Sequence, residues 1–463
     1  MTPHASLHDT PPGARPPWRY NPFVALRHRN FRLFFFGQFI SQTGSWMQRI
    51  AQAWLVLQLT NSPFLLGVVG ALQWLPVLLF SLIGGVAADR LNKRALIIVM
   101  QTLQMLLAFV LGFLVLTGAV RYWHVAVLAF GLGLTAAFDI PTRQAFLAEM
   151  VEGTDMMNAV ALNSTLVNGA RLFGPAVAGI AIGTVGMAWA FLANGLSFIP
   201  VIGALLLMRV RPMDVTQAQA GLAAHLREGI AHLFHTPVAL QVVTLVAVQS
   251  VFVMNFNILV PVFAKDVLHQ GAAGFGLLMS IQGAGAVAGA LCVASLSDLG
   301  PHPALLFGGA AMLGLADLLL AMTHSFPLAA AELALAGASF VLSIATSQTM
   351  LQVTAPDHLR GRVMSMYAIV MGGLNPAGAL VSGAMAEFWG APAAFAVAGT
   401  IGVLAAVGAL RWRRVTDRAA AAEGPSPGQA GQPPAPSGIT LTGGAAAVLG
   451  TDGEGAGADT STR

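Results

Sequence analysis

The sequence predicts an all-α integral membrane protein with twelve transmembrane helices in two six-helix halves. Three observations carry that prediction. Charged residues make up 9% of the 463 residues and hydrophobic ones 56%, whereas a soluble protein has about 25% charged residues; so much apolar surface must face lipid. A crossing helix needs about 20 mostly apolar residues, and the stretch from Phe31 to Arg411 has room for roughly twelve with short loops. The runs are continuously apolar rather than alternating, which selects helices over a β-barrel.

Residues 1–30 are polar and proline-rich, with no apolar core, and read as a cytoplasmic tail rather than a signal peptide. The first half, 31–208, divides into spans at about 32–58, 63–88, 94–117, 122–140, 158–182 and 186–208. A polar connector follows at 209–236. Within it Leu222, Leu226, Ile230 and Leu233 recur at helical spacing, with Arg227 and Glu228 between them. That pattern suits either an amphipathic helix on the membrane surface or a plain solvated linker. The second half, 237–411, carries spans at about 237–262, 273–297, 303–323, 327–350, 362–386 and 391–411. The tail 412–463 is rich in Gly, Ala, Pro, Ser and Thr from Asp417 onward and is expected to be disordered.

Arginine and lysine set the orientation. With the N-terminus inside and an even number of spans, the basic residues from Arg15 to Arg32, then Arg90, Lys93, Arg94, Arg143, Arg209, Arg211, Arg227, Arg360, Arg362 and Arg411 to Arg418 all fall on the cytoplasmic side. Only Arg121 and Lys265 fall outside. The sequence pI of about 9.8 therefore reflects topology rather than nucleic-acid binding. The halves also resemble each other. Gln144 to Gly179 aligns without gaps on Gln348 to Gly383, pairing Gly169 with Gly373, Gly174 with Gly378 and Gly179 with Gly383. Two parallel repeats are a common transporter architecture.

Several polar groups interrupt the apolar runs. On the first span Gln38, Gln42, Ser45, Arg49 and Gln52 recur every three or four positions, so they share one face. A charge near mid-membrane costs at least about 2.5 kcal/mol on insertion scales, so this stripe faces protein or a watery cavity. Ser164, Asn168 and Arg171 form a similar face on the fifth span. Arg49 and Arg171 either lend a cavity a positive field for an anionic or strongly polar substrate, or are internal struts bonded to carbonyls or a carboxylate. Trp46 and Trp74 offer flat faces that suit an aromatic substrate, although packing or interfacial anchoring accounts for them more simply. Gly169 to Gly179 contains Gly174 and Pro175; the proline removes a helical hydrogen bond and bends the span, while glycines allow close packing around the bend. Asp139 ends the fourth span four residues before Arg143 and is expected to pair with it. Glu332, on the tenth span, is the embedded carboxylate best suited to carry a proton. Asp317, on the ninth, is the other embedded acid.

The loop after the second span, Gly84 to Arg94, is the densest cluster of charge in the first half. Gly85 suits close helix approach, and Asp89 is placed to pair with Arg90 or Arg94. Only a weak copy, Ser295 to Gly300 with Asp298, occupies the matching place in the second half. No Gly-rich phosphate loop ending in Lys and Ser or Thr is present, so ATP is not the expected energy source. There is no metal-ligand cluster and no cofactor motif, and the single cysteine, Cys292, rules out an intramolecular disulfide. The pattern is that of a carrier rather than an enzyme.

The Gly85-x-x-x-Asp89-Arg90-x-x-Lys93-Arg94 spacing resembles the loop signature between helices 2 and 3 of the major facilitator superfamily. Asn30-Phe31-Arg32-Leu33-Phe34, Gln38 and Gly44 are similar to the opening of one branch, which contains siderophore exporters and macrolide efflux proteins. So are Pro141-Thr142-Arg143-Gln144, Asn158-Ala159, Arg171-x-x-Gly174-Pro175 and Arg360-Gly361-Arg362-Val363. The resemblance implies the two-bundle major facilitator fold and a latch at Gly85, Asp89, Arg90 and Arg94. It implies further gating at Asp139, Arg143, Gly174, Pro175, Arg360 and Arg362, and it places the first span, with Gln73, Asn255, Gln282 and Asn375, along a central cavity. Asn92 stands where the family usually has glycine; asparagine tolerates the left-handed backbone a glycine would supply. The implied activity is export of a siderophore, drug or related amphipathic metabolite across the inner membrane, with protons as coupling ion. A mover of lysophospholipid or lipid-linked metabolites, and a transport-inactive sensor, are the alternatives.

Overall fold

A computed structural model describes residues 23–151, 155–208, 236–296, 302–356 and 359–423. The amphipathic stretch of the connector, the loop copy around Asp298 and the tail beyond Glu423 lie outside the described residues. Every described element is helical. After a short 3-10 turn at Val24–Arg27 come α1 (Arg29–Thr60), α2 (Pro63–Arg90), α3 (Lys93–Leu116), α4 (Tyr122–Met150), α5 (Met156–Thr184) and α6 (Met187–Leu207). The second half contains α7 (Pro237–Val248), α8 (Phe256–Asp266), α9 (Ala272–Ser295), α10 (Pro303–Met322), α11 (Phe326–Thr354), α12 (Arg360–Gly373) and α13 (Asn375–Glu423).

Among the described residues ten stretches are long and apolar enough to cross a membrane. Two places separate this count from the expected twelve. α1 is 32 residues long, but its polar stripe keeps its hydropathy low. Arg360–Thr416 counts once at 57 residues, yet a helix of that length would run about 85 Å against a hydrocarbon core of about 30 Å, and Gly390, at φ 80°, breaks it.

The ends follow local chemistry. Ser62 caps α2 by accepting from the Leu65 N–H at 3.2 Å, with Pro63 at the first helical position. Asn92 caps α3 by accepting from the Ala95 N–H at 3.0 Å. Its φ is −63°, so the residue at the family's glycine position is an N-cap and not a left-handed turn. Three boundaries differ from expectation. α4 continues ten residues past 140, through Pro141, to Met150. The seventh span is interrupted by a π turn at Gln249–Val253, and the eleventh breaks at Leu374. α13 runs to Glu423, so the first residues of the expected disordered tail are helical.

The described residues up to Val415 pack as a single unit. Within the first half α2 packs on α4, α1 on α5 and α6, and α3 on α4 and α6. In the second, α11 packs on α9 and α10. Two crossings between the halves are built in the same manner. A side chain on Gly276 of α9 would lie 2.6 Å from the Pro175 carbonyl and 2.8 Å from the Gly179 Cα of α5. A side chain on Gly67 of α2 would lie 2.5 Å from the Ala379 carbonyl and 3.2 Å from the Gly383 Cα of α13. Gly179 and Gly383 are one of the pairs matched in the internal repeat, so the repeat is expressed as two related helix crossings that only glycine permits. Apolar side chains such as Leu79, Ile83, Phe113 and Leu291 remain exposed on the outer faces, as lipid contact requires.

Candidate functional site

The closed end of the cavity lies where α1 passes into α2. Here Glu387 of the second half accepts from Ser62 Oγ at 2.7 Å and from the Phe64 N–H at 3.1 Å. Lys265 donates to Asn61 Oδ1 at the same end. Trp54 of α1 stacks on Phe275 of α9, with centroids 6.0 Å apart.

Two chambers lie inward of that seal. One, about 340 Å³, sits between the halves and is lined by Arg49, Gln52, Gln73, Arg171, Pro175, Asn255, Gln282 and Asn375. The other, about 580 Å³, runs within the first half toward Phe34, Arg143 and Met156 and is lined by Gln38, Gln42, Ser45, Arg49, Gln73 and Asp139. Trp46, Arg49, Gln73 and Trp74 line both. Of the α1 stripe, Asn168, Arg171, Gln73, Asn255, Gln282 and Asn375, the residues expected at a substrate cavity, all but Asn168 face one or both chambers.

At the junction the Arg49 guanidinium lies 4.6 Å from the Trp46 ring centroid, and that of Arg171 lies 5.7 Å from it. Arg171 also lies 4.9 Å from the ring of Phe340 on α11, joining the halves at the chamber wall. Among the described residues neither guanidinium has a hydrogen bond or an ion pair. The strut reading is thus not what the geometry supplies: both cations rest on ring faces alone.

Asp139 and Arg143 form the expected pair, Oδ2 to Nε at 2.9 Å. Gln101 Nε2 donates to Asp139 Oδ1 at 3.1 Å, and Ser41 Oγ donates to Gln101 Oε1 at 3.3 Å, tying α1, α3 and α4 together. Asp139 is the one carboxylate among the chamber linings. Asn194 of α6 donates to Gln48 Oε1 at 2.6 Å. A side chain on Gly44 would strike Ser197 and Asn194, so this polar junction needs a glycine on α1.

Other assigned residues fall elsewhere. Asn168 donates to its own helix, to the Ser164 carbonyl at 2.9 Å, and lines neither chamber. Glu332 accepts from Thr323 at 2.7 Å and also lies outside both chambers; Asp317 is buried outside them too. The close approach expected at Gly85 belongs to Gly84: a side chain there would lie 2.2 Å from the Ala137 carbonyl, while at Gly85 it would meet nothing within 4 Å. Pro141 frees that carbonyl from its helical bond, and Gly84 packs on it. Asp89 is exposed and pairs with neither Arg90 nor Arg94 among the described residues. Arg94 donates instead to the Leu206 carbonyl at 2.8 Å, and Lys93 pairs with Glu149 at 2.7 Å. Gly174 packs against Trp46 Cβ, Pro175 offers its carbonyl to Gly276, and Arg360 donates to the Gln352 carbonyl at 2.9 Å. Arg360 is the first residue of α12 and Arg362 the third.

Outside the spans, Asp155 at the start of α5 meets Arg27 at 2.7 Å and His28 Nε2 at 2.8 Å. The His28 hydrogen bond first, and Arg27 after it, hold this carboxyl below its ordinary range. Sequence reasoning did not single out this link.

Comparison with known proteins agrees with the architecture. The multidrug efflux pump Tap of Mycolicibacterium fortuitum is 28% identical, over 78% of this chain and 90% of its own. The enterobactin exporter of Shigella boydii is 25% identical, over 81% and 92%. The inward-facing, unoccupied crystal structure of a bacterial homologue of the human lysosomal transporter Spinster superposes with a TM-score of 0.63 at 16% identity, covering 89% of this chain and all of that one. Residues 20–433 match the family described as transmembrane secretion effector, and the chain belongs to that family of the major facilitator superfamily.

Proposed function

We propose that this protein is a secondary active exporter that moves a small amphipathic organic molecule, anionic or polar, out of the cytoplasm. It works by alternating access between two six-helix halves, twelve spans in all, with protons as the coupling ion. It resides in a bacterial inner membrane with both termini cytoplasmic, so the Ser62 end faces outward and the larger chamber faces the cytoplasm. The observation that carries this reading is the polar double chamber, sealed at the Ser62 end by contacts between the halves and extending toward the opposite end. A scaffold or sensor has no need of such lining. The similarity to a multidrug pump and a siderophore exporter supports the direction of transport.

Proteoliposomes holding the purified protein test it. A proton gradient is expected to drive uptake of a siderophore-like or drug-like compound into inside-out vesicles, and a protonophore to stop it. Gradient-independent movement of a lysophospholipid would instead make the protein a lipid mover, and no flux with a broad compound panel would end the exporter reading.

A further inference from the structure

The charges at the chamber junction do not balance. Asp139 neutralises Arg143, leaving Arg49 and Arg171 with no anion among the described residues. Both are partly exposed, opening onto the chamber, and their side chains rest on the rings of Trp46 and Phe340. A cation on a ring face is worth about 0.5–2 kcal/mol, while desolvating a charge in a protein costs several kcal/mol. These guanidiniums are only partly desolvated, and the ring faces leave their N–H groups open to an oxyanion, which can accept two parallel charge-assisted hydrogen bonds from each.

We propose that the junction is a binding site for an organic dianion with two oxyanion groups on one apolar or aromatic body; this rests on the exporter reading above and names its substrate class. Three features of the site specify that chemistry. Two separate planar forks call for two separate planar oxyanion groups. Both guanidiniums contact the same Trp46 ring, and their distances of 4.6 and 5.7 Å cap their separation at about 10 Å, so one small molecule spans them. The wall also carries apolar surface for the body of the ligand, with Trp74, Ile258, Phe256 and Met279 facing the space between the halves beside amides such as Gln52, Gln73 and Gln282. A volume of about 340 Å³ accommodates a compact ligand. A permanent organic cation would meet two like charges in a low-dielectric space and be rejected. Because Arg171 also touches Phe340 of the second half, an anion that draws the two guanidiniums toward itself acts on a contact that holds the halves together.

Three probes of similar size and different charge test the site on the purified full chain by isothermal titration: terephthalate, benzoate and benzyltrimethylammonium. Terephthalate is expected to bind at least tenfold more tightly than benzoate, with affinity falling as salt rises, and the cation not to bind. Arg49→Gln and Arg171→Gln are each expected to reduce terephthalate to the benzoate level. Arg49→Lys keeps the charge without the fork and is expected to fall between, which separates recognition from misfolding. Equal affinity for terephthalate and benzoate in the wild type, or binding of the cation as tight as that of terephthalate, overturns the proposal. Retention of the dianion preference in both glutamine variants overturns it as well. These binding measurements need no flux, so a failure of the exporter reading in vesicles is a separate result.

Discussion

A single charged residue in an apolar run is legible because its cost is conspicuous, and Arg49 and Arg171 were found that way. Spacing also placed the α1 stripe, since residues three or four apart share a face. The same rule misled at Asn168, where a short amide bonded back to its own helix. At Gly84 and Gly85 one step along a helix is a rotation of about 100°, enough to exchange a packed face for an open one. Trp46 was undervalued because tryptophan usually packs or anchors, and nothing in sequence shows two guanidiniums converging on one ring. Since Arg49 faces both chambers without a partner, Arg49→Gln is expected to abolish export while expression and membrane insertion stay normal; undiminished flux in the variant would refute its role. Asp155 permits a pH test. Its carboxyl is held below the ordinary value of about 3.9, so its contribution is complete above that pH and is lost as pH falls through the lowered value. The melting-temperature gap between wild type and Asp155→Asn is expected to be widest near neutrality and to close on acidification below about pH 4; a gap that persists there means the ion pair is not its source.

At the scale of elements, apolar runs located the helices well, because lipid demands continuous apolar length and satisfied backbone. Interruptions were less legible. The π turn at Gln249–Val253 has no compositional mark, and the break at Leu374 sits in ordinary apolar sequence. α4 runs on past Pro141, and Gly84 packs on the carbonyl that the proline frees. The glycine repeat, by contrast, was visible in the sequence, and its meaning needed the structure: Gly276 against Gly179, and Gly67 against Gly383, let α5 meet α9 and α2 meet α13. Overpacking such a contact costs about 1–3 kcal/mol, and only in the conformation that makes it. Gly276→Leu is therefore expected to shift the population roughly 5- to 150-fold toward opening of the Ser62 end. A cysteine at Ala53, in the chamber wall, with Cys292 replaced by Ser, should then react faster with an impermeant thiol reagent added from that side. Gly308→Leu, where a side chain would meet nothing within 4 Å, serves as the comparison, and equal reactivity in the two would refute the wedge.

For the molecule as a whole, the two-half architecture and the basic asymmetry were readable from charge and hydropathy alone. The conformation was not, because a sequence that alternates between two states encodes both. The state seen here is defined by a seal that crosses the halves, and its least expected member is Glu387. That residue accepts from the cap residue Ser62 and from the Phe64 N–H, so a carboxylate from α13 completes the N-terminal cap of α2. An anion at a helix N-terminus is favoured by the exposed N–H groups and the helix dipole, by about 0.3–1 kcal/mol on a solvated surface. Two hydrogen bonds to a charged acceptor add to this, but Glu387 is exposed, and solvent screens the whole to about 1 kcal/mol. Loss of that amount changes an equilibrium about fivefold. Glu387→Ala is accordingly expected to lengthen the distance between spin labels on opposite halves at the Ser62 end in about fivefold more molecules. Labels within one half should not move. Restoring the interaction from the other side is not possible, since Phe64 contributes a backbone group, so a Ser62→Ala variant should reproduce only part of the shift. If the label distances in Glu387→Ala match the wild type, the seal is carried by the glycine crossings and by Trp54 on Phe275, and the cap is incidental to it.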